Sequence, residues 1–165
     1  MASNALDPGD SQDQYVFDQR VSEQREDYLT SQLVAFNQTH STVLSIERHD
    51  LLPLHIYVLD RAGAVLGGVV GRTHAIPLWF EISVIWIEER LRHQGLGREL
   101  LRQAEQEAYQ RGCRYARLAT SNFQAPAFYE KMGYMLYGTL ENCPPGETVF
   151  YFWKRLAPLV APPGR

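Results

Sequence analysis

The residues best suited to chemistry stand together at Arg92-His93-Gln94-Gly95-Leu96-Gly97. A β-rich run, Ile82 to Ile87, leads into this stretch, and an amphipathic helical pattern leads out of it. A strand feeding a glycine-bearing turn that opens a helix is one way to hold a pyrophosphate. Glycines let the backbone approach the ligand closely. The free N–H groups and positive dipole end of the helix N-terminus then face the anion. Glycine spacing decides the kind of site. A dinucleotide fingerprint needs a third glycine where Leu100 stands, and a Walker loop needs Gly-Lys-Ser/Thr, which is absent. Arg-x-x-Gly-x-Gly remains, set against the plainer reading of a turn that merely links strand to helix.

A second cluster lies downstream, from Asn122-Phe123-Gln124-Ala125 through Phe128-Tyr129-Glu130-Lys131-Met132-Gly133-Tyr134. The two stretches, in this order and separated by a helix and a short strand, resemble the cofactor site of the GNAT N-acetyltransferase family. The resemblance runs from about Tyr57 to Leu156. It implies an α/β (α+β) fold: a mixed, mostly antiparallel sheet of about six to seven strands, with helices on both faces. A central splay between the fourth and fifth strands would admit acetyl-CoA as co-substrate, with no metal. Backbone N–H groups of Gln94, Gly95, Gly97 and Arg98 would meet the pyrophosphate, with His93 and Leu96 in the same turn. Main-chain groups of Ile85 and Ile87, flanking Trp86, would pair with the pantetheine arm, and a bulge there would open the slot. Ala125 and Phe128 would adjoin the arm. Asn122 would hydrogen-bond it, unless Asn122 serves as an N-cap or turn residue.

Acyl transfer to an amine needs a held thioester, an uncharged nucleophile and stabilisation of the departing thiolate. Tyr129 is the family-matched group for protonating that thiolate, the alternative being a core tyrosine with Phe128 in its place. An alkyl ammonium is protonated about a thousandfold over at neutral pH, so a base helps. Glu81 stands among Trp79, Phe80 and Ile82, eleven positions before Arg92, as the general-base glutamate does in the histone-acetylating branch. Desolvation there would raise its pKa toward neutrality. The alternative is an edge position where Glu81 reaches water or an arginine such as Arg72. His74 is a second candidate base, and Cys113 reads as a small buried hydrophobe. Arg90, Arg98 and Arg102 could meet phosphates, yet Glu88, Glu89 and Glu99 lie among them, which favours a solvated surface for Arg90 and Arg102.

The elements that must position these residues follow from the pattern. Met1 to Asp13 reads as a disordered leader, 14–156 as one acyltransferase domain, and 157–165 as a flexible tail. Tyr15 to Phe17 is a short first strand, and Ser22 to Gln38 a helix capped by Ser22, with Leu29, Leu33 and Phe36 on one face. Residues 39–53 are ambiguous. His55 to Leu59 and Ala64 to Arg72 form a hairpin about Asp60-Arg61-Ala62-Gly63, and Phe80 to Ile87 is a central strand. Gly97 to Arg111 is the clearest helix, with Leu100, Leu101, Ala104 and Ala108 buried and Gly112 as its stop. Then come a strand at Arg114 to Thr120, a short helix at Ala125 to Met132, and strands at Tyr134 to Leu140 and Thr148 to Leu156.

Composition narrows the function. A chain of 165 residues with 45% hydrophobic and 21% charged residues suits one globular domain. A net charge of −3 disfavours a broad nucleic-acid face. No apolar run approaches the roughly 20 residues of a membrane span, and the N-terminus lacks a signal-peptide pattern. Two cysteines without metal-ligand spacing fit a reducing cytoplasm. The expectation is an acetyl-CoA-dependent N-acetyltransferase working by direct attack of a primary amine. Its acceptor is a small cationic metabolite, drawn by Glu81, Glu141 and Glu147 and by the aromatic surface of Trp79 and Phe80. Partners are that small molecule and no nucleic acid or membrane, with room left for a homodimer. The alternatives are a non-catalytic acyl-CoA sensor of the same fold and a protein-lysine or N-terminal acetyltransferase.

Overall fold

The computed structural model describes residues 17–41, 51–74 and 78–158. The expected leader, Tyr15 and Val16 of the expected first strand, and the end of the tail lie outside the described residues; Phe17 is in no strand. The first described element is helix α1, Glu23–His40. Ser22 caps it by accepting from the Arg25 N–H at 3.4 Å, and Glu23 and Glu26 sit in the first turn, where the helix dipole favours acids. Leu29, Leu33 and Phe36, expected to share a face, are exposed, and α1 buries no residue. Its first turn carries acids and an arginine, so capping rather than burial accounts for its start.

Strands β1 (Leu51–Leu59) and β2 (Val65–His74) form the expected hairpin. The Asp60 carboxylate closes its turn by accepting from the N–H groups of Ala62 and Ala64. β1 begins at Leu51, inside the stretch read as ambiguous, and tolerates Pro53 because it is an edge strand. β3 spans Trp79–Ile87, α2 Leu96–Gln110, β4 Tyr115–Ser121, α3 Pro126–Lys131, β5 Met135–Glu141 and β6 Thr148–Arg155. The sheet has six strands in the order β1-β2-β3-β4-β6-β5, and only β3 and β4 run parallel.

One sheet face carries the core. Phe80, Ile82, Leu118 and Phe152 point into it and meet Leu100, Leu101, Ala104 and Ala108 of α2, the stripe expected from the helical period. Phe80 and Phe152 are fully buried, and each contributes roughly 1.5–3 kcal/mol by leaving water. Lys154 on β6 reaches Glu105 on α2 at 2.7 Å, tying the helix to the far side of the sheet. Alternation then puts Trp79, Glu81 and Arg117 on the opposite face, where each is only half-buried.

Candidate active site

The sheet comes apart where β3 leaves β4. These strands pair only from Trp79 with Tyr115 to Ile82 with Leu118. At that point β3 carries one residue more than β2: Gly71 faces Ile82 while Val70 faces Val84, so Ser83 is bulged. A Cβ at Gly71 would collide with the Glu81 carbonyl and the Phe80 ring, so glycine is what lets the strands close beside the bulge. Beyond it β4 keeps its pairing to β6, while β3 keeps only β2. The Glu88 N–H donates to the Leu66 carbonyl, so by strand alternation Ile87 and Ile85 turn their main-chain groups away from β2, into the gap. Trp86 is half exposed beside it.

β3 then enters a 3-10 turn, Glu89–Leu91, that the sequence pattern did not reveal. Arg92 Nε donates to the Ile87 carbonyl at 3.0 Å, and Gln94 Nε2 to the Arg90 carbonyl at 3.0 Å. These bonds fold the turn back on itself. His93 has φ 62° and Gly95 φ 85°, the left-handed region that only glycine enters cheaply. The backbone N–H groups from His93 to Arg98 find no acceptor among the described residues. Gly97 is different: its φ is ordinary, and a Cβ would meet only the Phe128 ring at 3.7 Å, a normal contact. The fold itself does not require glycine at 97. Arg90 is paired with Glu88 and Arg102 with Glu99, which leaves Arg98 as the unpaired arginine of this group among the described residues.

The second motif packs behind the turn. The Phe128 ring lies 3.7 Å from where a Cβ at Gly97 would stand, and the Tyr129 ring lies against Phe128, Tyr134 and Phe152. Phe152 is the cross-strand partner of Leu118, so Tyr129 stands one side chain from the last β3–β4 pair. Burial pushes its phenol up to about 12. Tyr134 is raised too, by burial first and then by the Glu105 carboxylate it faces. Asn122 behaves as a turn residue: its N–H donates to the Thr148 carbonyl, and its Oδ1 accepts from the Thr148 N–H at 3.2 Å. It does not cap α3, whose N-cap is Ala125 without a side-chain bond. Gln124, a residue the motif did not single out, accepts from the Ser121 N–H and the Thr120 hydroxyl and fixes the end of β4.

On the open face a cavity of about 340 Å³ lies at the point where the strands part, walled by Glu81, Ser83, Arg117, Tyr137 and Tyr151. A smaller one of about 190 Å³, reaching Arg72 and His55, adjoins it across Ser83. Glu81 does not have the raised pKa expected of it. Burial pushes its carboxyl up, but the hydrogen bond and charge of Arg117, with the charges of His74 and Arg72, hold it below its ordinary value. Arg117 Nη2 lies 2.6 Å from Glu81 Oε2 and its guanidinium over the Trp79 ring. The arginine reached is thus Arg117 across the parallel pair. His74 Nε2 is buried, 3.5 Å from the same oxygen, and burial lowers its pKa against the pull of Glu81. Phe80, expected as acceptor surface, is sealed in the core. Glu141 is exposed and Glu147 half-buried at the far end of the β5–β6 hairpin. Cys113 is buried, its thiol pushed up by burial, as a structural residue should be.

The profile described as the Acetyltransferase (GNAT) family matches residues 17–134. The chain belongs to the GNAT family of acetyltransferases. Its similarity extends to the blasticidin-S acetyltransferase of Streptomyces morookaense, 34% identical over 108 residues, which cover 63% of this chain and 78% of that protein. Among solved structures, an acetyltransferase from Bacillus cereus superposes with a TM-score of 0.71 at 30% identity, covering 86% of this chain and 98% of the other. A Bacillus anthracis protein solved in complex with acetyl coenzyme A shares the fold, with a TM-score of 0.57 at 22% identity over 64% of each chain. The GNAT fold and N-acetyltransferase activity therefore stand together for this protein. No helix among the described residues is long and apolar enough to cross a membrane.

Proposed function

We propose that this GNAT protein acetylates a small-molecule amine by direct attack on the thioester of acetyl-CoA. The observation that carries the reading is the run of N–H groups from His93 to Arg98, unpaired among the described residues, at the mouth of the β3–β4 splay. Six such consecutive amides, leading into a 15-residue helix, make an anion cradle, and the ordinary φ at Gly97 leaves ligand approach as the reason for glycine there. Acetyl-CoA supplies the acyl group. Ile85 offers its main-chain groups, and Ile87 its N–H, to the pantetheine arm, as an added strand would, beside Trp86, Ala125 and Phe128, while the Ile87 carbonyl holds Arg92. Asn122 keeps its amide nitrogen for that arm while its oxygen braces Thr148.

Tyr129 donates a hydrogen bond to the sulfur as it leaves. Glu81 faces the acceptor as an ionised carboxylate. With its pKa held low it is a weak base, so its role is to attract and orient the amine, which reacts from its neutral fraction. The test is Gly97→Glu, whose side chain and charge would fill the cradle. Loss of acetyl-CoA binding by calorimetry in a folded variant is the expected result; retained micromolar binding refutes the assignment.

A further inference from the structure

The open face presents a row of charge of which the sequence suggested only Glu81 with Arg72. Arg72 on β2, Glu81 on β3 and Arg117 on β4 are direct cross-strand partners, so Glu81 stands between two arginines; Arg117 bonds its carboxylate and Arg72 acts on it by charge alone. The row sits one step below the point where β3 and β4 part. Its arginines and carboxylate sum to one positive charge, and burial lowers the pKa of His74 beside them. Arg117 directs a single nitrogen at Glu81, and its other N–H donors have no partner among the described residues, while its side chain is 42% exposed. Arg72 is exposed and in no ion pair among the described residues. Guanidinium groups held this way are suited to a carboxylate.

The opposite wall is aromatic. Tyr137 and Tyr151 stand with ring centroids 6.1 Å apart, and both line the same cavity as Arg117 and Glu81. Tyr137 is a bulged residue: Leu136 faces Phe152 and Gly138 faces Tyr151, so Tyr137 is the extra one. Ser83 is the bulged residue of β3, on the other side of β4 and β6. Two bulges thus re-aim side chains into one cavity, the placement bulges take at functional sites. Its volume, about 340 Å³, lies within the range of small-ligand sites.

Resting on the acetyl-transfer reading, we infer that the acceptor is an aromatic amine that also carries a carboxylate, held by Arg117 with support from Arg72 while its ring lies against Tyr137 and Tyr151. Glu81 then takes the amine end, close to the splay. This departs from the purely cationic acceptor expected from the sequence, because the acidic character assigned to Glu81 is offset by its two neighbours.

The probes are L-tyrosine, L-tyrosinamide and tyramine, which share a ring and an amine and differ in the carboxylate. Acetyl transfer is measured for each at saturating acetyl-CoA. Tyrosine is expected to exceed tyramine in kcat/KM by roughly ten- to a hundredfold, the worth of one or two charge-assisted hydrogen bonds. Arg117→Gln should shrink that ratio mainly through the KM for tyrosine, and Arg72→Gln should shrink it less. Glu81→Gln should enlarge it, since the row then loses its negative member. Opposite shifts in the Arg117 and Glu81 variants separate recognition from a merely structural pair, which would move both the same way. Tyramine or tyrosinamide turned over as well as tyrosine overturns this subsite and leaves the acetyltransferase reading standing. Shifts of the same sign in the two variants overturn it as well. No transfer to any amine, with acetyl-CoA still bound, overturns both.

Discussion

Replacing Tyr129 by phenylalanine isolates the contribution of one hydroxyl. The ring stays, and with it the contacts to Phe128, Tyr134 and Phe152, so folding stability should change little. The hydroxyl's role is set by its pKa, which burial raises to about 12. A thiol ordinarily titrates at ~8.5, so full proton transfer to the departing sulfur is uphill by roughly 3.5 pKa units, or about 5 kcal/mol. A hydrogen bond has no such cost and is worth about 1.5–3 kcal/mol when the acceptor is charged. Tyr129→Phe should therefore lower kcat by roughly 10- to 150-fold and leave the KM for acetyl-CoA nearly unchanged. The assay is single-turnover release of CoA, which reads the chemical step directly. An unchanged single-turnover rate in the variant would remove Tyr129 from the mechanism. A pH–rate profile with an inflection near 10 that vanishes in Tyr129→Phe would contradict the raised pKa.

Other outcomes follow from the same geometry. Gly95→Ala should destabilise by about 1–2 kcal/mol because alanine is strained in the left-handed region, whereas Gly97→Ala should fold normally; thermal denaturation compares the two. The folded-state pKa of Glu81 is depressed, so its stabilising contribution is full above about pH 4.5 and fades as pH falls through the lowered value; Arg117→Gln should bring acid unfolding to higher pH in a fluorescence-monitored titration. Breaking the Lys154–Glu105 pair by Lys154→Met should cost up to about 3–5 kcal/mol, because Glu105 is left without its partner in a largely buried place; chemical denaturation should show Glu105→Gln/Lys154→Met recovering part of it. A double variant no more stable than Lys154→Met would mean that the lysine's packing matters more than its charge.

Local patterns carried most of the fold. The period of Leu100, Leu101, Ala104 and Ala108, the capping by Ser22 and the turn about Asp60 each arise from residues close in sequence, and each is present in the structure. The shape of the glycine-bearing turn was legible for the same reason, because strand, glycines and helix are consecutive. The arrangement of the open face was not. Glu81 and Arg117 are 36 positions apart and meet only through strand register across the α2 crossover, which no local pattern encodes. That pairing reverses the expected direction of the Glu81 pKa. The bulge at Tyr137 likewise depends on tertiary pairing. Phe80 was within reach, since strand alternation alone places it opposite Glu81 and hence in the core. The apolar face of α1 shows the opposite limit: a correct helix whose burial its own sequence does not decide.

Direct transfer from thioester to amine is tested most plainly by incubating the protein with carbon-13-labelled acetyl-CoA and the amine panel and weighing both protein and small molecules by mass spectrometry. The labelled acetyl group should be found on the nitrogen of an acceptor, with the protein's own mass unchanged. Label retained on the protein, or thioester bound with no acceptor acetylated, would contradict the account.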